Sequence, residues 1–151
     1  RTHPDRVVPV KRVVSAQIVG AEGTAARELG VEEGRELYRL ERIRCSAGVP
    51  YYLETIYLTR DFAPNALDHD FSGESLRAYY ANILHVRWTH ARQRVSARAA
   101  DARCAGLLGI AEGSAILSVD RTSFDHDDIA REYMTSLYRS DQFYLDMSLE
   151  A

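Results

Sequence analysis

Two arginines one residue apart, Arg42 and Arg44, sit in a run that can set them against a glutamate. Leu40-Glu41-Arg42-Ile43-Arg44 leads into a reversal at Ser46-Ala47-Gly48-Val49-Pro50. The chain then returns from Tyr51 to Leu58 through Glu54. The returning run is rich in β-branched and aromatic residues and reads as a strand. Period two places Tyr38, Leu40, Arg42 and Arg44 on one face, and Leu37, Arg39, Glu41, Ile43 and Cys45 on the other. Centring the reversal on Gly48 sets Arg42 opposite Glu54 and Arg44 opposite Tyr52. One sheet face then carries two guanidinium groups, a carboxylate and a phenol. A planar guanidinium grips phosphate or carboxylate through two parallel hydrogen bonds. The plainer alternative is a solvated face on which arginine and glutamate form surface pairs of little energetic worth.

The same chemistry recurs. Leu29-Gly30-Val31-Glu32-Glu33-Gly34 is matched by Leu108-Gly109-Ile110-Ala111-Glu112-Gly113, and Arg42 by Arg121, at a constant offset of 79 without a gap. Glu132 answers Glu54 once one residue is dropped from the second hairpin. Two copies are too few for a solenoid, so they read as a duplication within one domain. Each copy opens with a short helix, capped by Thr24 in the first and Asp101 in the second. Gly30 and Gly109 fall where a helix ends in the left-handed conformation. The second hairpin is a strand from Ala115 to Phe124, a turn over Asp125–Asp128, and a strand from Arg131 to Tyr138. Glu132, Met134, Ser136 and Tyr138 share a face. Related hairpins that each offer Arg and Glu imply a polar pocket between the halves.

The remaining elements position these groups. Residues 1–12, with Pro4 and Pro9, read as a linker or lead-in strand, and Val13 to Ile18 as an edge strand. Leu76, Tyr79, Tyr80, Ile83 and Leu84 form an apolar helical stripe opened by Ser75 and Arg77. A helix start offers backbone N–H groups to an anion. Val86 to Ala99 is an arginine-rich strand. It puts Val86, Trp88, His90, Arg92 and Arg94 on one face, and small residues that suit a covering helix on the other. Phe143, Leu145, Met147 and Leu149 alternate as a closing strand. The sum is an α+β domain: a mostly antiparallel sheet of about six strands with helices on one face.

Composition narrows the classes. The 151 residues carry 46% hydrophobic and 27% charged side chains, enough for one domain with a core. A net charge of −3 argues against a nucleic-acid module acting alone. Two cysteines, Cys45 and Cys104, form no disulfide framework or metal spacing, which places the chain in a reducing, cytoplasmic setting. No apolar run reaches membrane-spanning length. The five histidines do not cluster, and Asp125-His126-Asp127-Asp128 reads as a solvated turn rather than a metal site. No glycine-rich phosphate loop or nucleophile elbow occurs, so neither a cofactor nor a catalytic residue is assigned.

Several motifs together carry a family resemblance. Leu40-Glu41-Arg42-Ile43-Arg44, Pro50, Glu54 and Tyr57 are followed by Ser75-Leu76, then Leu107-Leu108-Gly109-Ile110, Glu112-Gly113 and Arg121. Glu132-Tyr133 and Tyr138-Arg139-Ser140-Asp141 close the set. In this order the chain resembles the UTRA domain, the effector-binding domain of GntR-type bacterial transcription regulators of the HutC subfamily. The resemblance implies a chorismate-lyase-like fold and a homodimer over residues 13–151. It also implies a small anionic effector, and control of DNA through an N-terminal winged helix-turn-helix that these residues lack. Residues 1–12 would then be the linker's remnant. Arg42, Arg44, Ser75, Glu132 and Tyr138 take the effector-binding roles, with Glu54 alongside. Arg77 stands where the family usually has tyrosine, which favours a more anionic or differently shaped ligand. The usual Gly-x-Pro of the second turn is replaced by Asp127-Asp128-Ile129-Ala130-Arg131. Two other readings stand beside the regulator: a chorismate-lyase-like enzyme, and a purely structural dimerisation module.

Overall fold

The computed structural model of the chain describes residues 10–150. The first half runs β1 (Val10–Gly20), α1 (Gly23–Leu29), β2 (Glu36–Ser46) and β3 (Val49–Thr59). After a single 3-10 turn at Ala66–Asp68 and helix α2 (Leu76–Asn82), the second half repeats the plan. It runs β4 (Trp88–Ala99), α3 (Ala102–Leu108), β5 (Ala115–Asp125) and β6 (Ala130–Arg139). The six strands form one antiparallel sheet in the order β1-β2-β3-β6-β5-β4, so the halves meet where β3 pairs with β6. The duplication therefore takes in the edge strands as well. Ala21 N–H donates to Arg35 O at 2.7 Å and Gly34 N–H to Ala21 O at 2.7 Å. Ala100, Ser114 and Gly113 reproduce both bonds at 2.8 Å.

Local chemistry explains the helix ends. Asp101 accepts the Cys104 N–H at 2.8 Å, as a capping carboxylate should. Thr24 does not cap α1: the helix begins two residues earlier than a Thr24 cap would set, its N-cap Glu22 makes no side-chain cap bond, and Thr24 Oγ1 accepts from Arg27 instead. Gly30 and Gly109 end their helices with φ of 65° and 68°, a conformation that costs any residue with a Cβ. The first hairpin has the expected register, Arg42 opposite Glu54 and Arg44 opposite Tyr52, closed by a two-residue turn at Ala47-Gly48.

Helices cover both sheet faces rather than one. β2 is apolar on both sides, so each face needs a cover. Tyr38 and Leu40 pack with Ile56, Leu58 and the α2 residues Leu76, Tyr79 and Tyr80. On the reverse face, Ile43, Leu53 and Ile116 pack against Cys104, Ala105 and Leu108 of α3. Leu37 and Tyr133 pack against Ala25, Ala26 and Leu29 of α1. The apolar stripe of α2 stops at Asn82, leaving Ile83 exposed.

Other expectations are revised as well. No helix covers β4, which is exposed along its whole length. A register shift between Trp88 and His90 separates those two residues, so Trp88 packs on Tyr80 while His90 stacks on Phe124. Residues 143–149 form no strand: the sheet ends at β1 and β4, and Phe143 stacks on the Tyr138 ring at 3.9 Å instead. β1 begins at Val10, so residues 10–12 belong to the sheet, while residues 1–9 lie outside the described residues. No helix among the described residues is long and apolar enough to cross a membrane.

Candidate functional site

The face that carries α2 also holds a cleft of about 660 Å³, reaching across the sheet from β1 to β4. Six of the seven residues singled out from sequence line it: Arg42, Arg44, Glu54, Ser75, Arg77 and Glu132. Tyr138 does not. It pairs with Tyr52 across the β3–β6 seam, and its ring stacks on Tyr52 at 4.5 Å, supporting a wall residue from the side.

Arg42 is buried, as is Glu54, and its Nη2 lies 2.7 Å from Glu54 Oε1. Its Nη1 donates to Phe71 O at 3.1 Å, tying β2 to the loop before α2. The buried Nε–H has no partner, an unusual state for an interior donor. Arg44 shares Glu54 Oε1 at 3.3 Å and lies over the Tyr52 ring at 5.8 Å. Ser75 Oγ accepts the Ala78 N–H at 3.1 Å, which leaves its own proton free to donate. Arg77, next on α2, stands exposed at the rim.

The second half contributes differently. Glu132 is buried and accepts a hydrogen bond from the Tyr80 hydroxyl. Burial is the main influence that raises its carboxyl above the ordinary value of 4.5, and neighbouring Glu54 adds to this. Arg121, the repeat partner of Arg42, donates through Nε to Gln93 Oε1 at 3.1 Å.

Sequence reasoning missed Lys11, Tyr80 and Trp88. Lys11 Nζ donates to Glu74 O at 3.1 Å, and burial, then Arg42 and Arg44, lower its pKa. Only the long-range pairing of β1 with β2 brings it here, so no local signal marked it. The cleft thus gathers five cationic residues (Lys11, Arg42, Arg44, Arg77 and Arg121) against two carboxylates, in a chain of net charge −3. Asp125, raised from sequence as part of an acidic turn, is buried and structural. Its Oδ1 accepts the N–H groups of Asp127 and Ile129, and its Oδ2 bonds Arg131 at 2.8 Å.

The model of the UTRA domain matches residues 6–144. The chain belongs to the UTRA domain family. These are effector domains of GntR-type transcription regulators, and the sheet with its three helices has their α+β fold. It is similar to the HTH-type transcriptional repressor PhnF of Mycolicibacterium smegmatis, 33% identical over 127 residues that span 81% of this chain and 50% of that protein. NagR, an HTH-type transcriptional repressor of Bacillus subtilis, is 23% identical over 91% of this chain and 56% of its own length. The crystallised effector domain of PhnF from Mycobacterium smegmatis superposes with a TM-score of 0.87 at 28% identity, covering 96% of this chain and 89% of that one. The UTRA chain thus spans about half the length of the curated relatives it matches.

Proposed function

We propose that the cleft is the effector site of a bacterial transcription regulator and takes a small anionic metabolite, a sugar phosphate or a carboxylate. The excess of cations over carboxylates carries this reading, because like charges are gathered in a half-enclosed space only at a cost that an anion repays. The free proton of Ser75 adds a neutral donor to the same ligand. The protein acts as a homodimer, and β4 supplies a bare edge suited to pairing with a second copy. Occupancy of the cleft favours one arrangement of that dimer and so re-spaces attached winged helix-turn-helix heads on DNA. The domain itself is not an enzyme.

Thermal-shift titration with glucosamine 6-phosphate and with small dicarboxylates tests the site. A saturable rise in Tm that Arg44→Ala removes supports it; no response to any anion refutes it. Light scattering on the isolated chain tests the dimer. One observation favours a catalytic alternative: Glu132 holds a carboxyl of raised pKa inside a cleft, as an acid catalyst would. Chorismate turnover followed by absorbance, and lost in Glu132→Gln, would establish that alternative.

A further inference from the structure

The repeat lets each half of the cleft be read against the other. Arg42 and Arg121 occupy equivalent positions, yet their states differ. Arg42 is buried and neutralised by Glu54 of its own hairpin at 2.7 Å. Arg121 has no carboxylate within ion-pair distance among the described residues, and its one side-chain bond goes through Nε to the neutral amide of Gln93. Its terminal amino groups are left to the cleft. The glutamate that would answer it, Glu132, is instead taken by Tyr80.

Position matters as much as charge. Arg42 and Arg44 lie on β2 and Arg121 on β5, with β3 and β6 between them. Three strand spacings separate the two stations by about 14 Å between strand axes. Lys11, Arg44 and Arg77 cluster at the β1–β2 end, where Glu54 offsets part of their charge. Arg121, with the Ser123 hydroxyl beside it on the cleft wall, forms a second cationic station at the β5–β4 end. Between the stations lie the Glu132 carboxyl and the Tyr80 hydroxyl, a polar middle that suits hydroxyl or amino groups. A single phosphate or carboxylate reaches one station and leaves the other unsatisfied.

We infer that the effector is an elongated molecule with two anionic groups, one held by Arg44, Arg77 and Lys11 and the other by Arg121 with Ser123. This rests on the effector reading of the cleft and deepens it: the ligand class becomes a bis-anion with a polar middle.

The test uses calorimetry on the chain as it stands, with linear alkane bisphosphonates of increasing length, each beside its monophosphonate. At one length the bisphosphonate binds roughly tenfold or more tighter than its partner, as expected for an added charge-assisted contact. Arg121→Gln, an exposed position, removes that advantage, and so does Arg44→Gln, so that either variant binds the bisphosphonate no tighter than its monophosphonate. Equal binding of the two probes at every length overturns the inference. So does an Arg121→Gln or Arg44→Gln variant that keeps the bisphosphonate's full advantage, or binding of a sugar monophosphate where no bisphosphonate binds. Failure of every anion to bind removes the effector site itself, a separate outcome.

Discussion

Arg42 sits under the cleft as a buried ion and as its structural keystone. It is 3% exposed, and its partner Glu54 is equally enclosed. Removing one member of such a pair strands the other charge away from water. Arg42→Met is therefore expected to lower stability by about 3 kcal/mol or more, read from urea denaturation. Arg44→Met, whose side chain is partly solvated, is expected to cost less. Glu132 makes a pH prediction of opposite sign from the usual carboxylate. Its folded pKa lies above the unfolded value, so the folded state holds the proton more tightly. Its contribution to stability is full below pH about 4.5 and is lost as pH rises through the folded pKa. Glu132→Gln keeps an acceptor for Tyr80 and removes this loss. Denaturation midpoints of the variant should fall less between pH 5 and pH 8 than those of the parent chain.

The elements show which local signals were decisive. Helix α3 is anchored by Asp101, and Glu41 fixes its flank: Arg103 donates twice to that carboxylate, at 2.9 and 3.0 Å, and Ser15 once at 2.8 Å. Burial alone would raise the Glu41 carboxyl, but these bonds together outweigh it and hold it below the ordinary range. Asp101→Ala should cost about 1 kcal/mol in thermal unfolding, whereas Thr24→Ala on the uncapped α1 should cost almost nothing. The two-residue turn sets a third test. Ala47 has φ of 54°, where a Cβ is crowded and asparagine is tolerated. Ala47→Asn is expected to raise stability by about 0.5–1 kcal/mol. Strand periodicity and turn position made the Arg42, Arg44 and Glu54 face legible, because both are local. Trp88 was misplaced because a bulge, invisible in the alternation, shifts every later residue of β4 to the other face. The closing strand failed for a different reason: alternation says which face a strand would show, not whether the segment pairs with another strand.

At the scale of the whole UTRA domain, the duplication was readable in the spacing, but the hairpins expected to fold face to face lie side by side in one sheet and line one cleft. It did not foretell that the halves would join through β3 and β6, nor that α2 would cover one face while α1 and α3 took the other. Those are long-range choices made by packing both faces of β2. The joined order makes β3 and β6 the central strands, each paired on both sides. Hydrogen exchange is expected to be slowest at their amides and much faster on the outward side of β4. Fast exchange along β3 and β6 in the isolated chain would mean that the halves open separately.

Lys11 is the second residue of β1, so one short piece of backbone is both a wall of the cleft and the point where the preceding segment enters the sheet. An anion that draws Lys11 from Glu74 tugs on that entry. Thermodynamic linkage makes the tug mutual: a clamp on residues 1–9 that displaces β1 must alter the grip on the anion by the same factor.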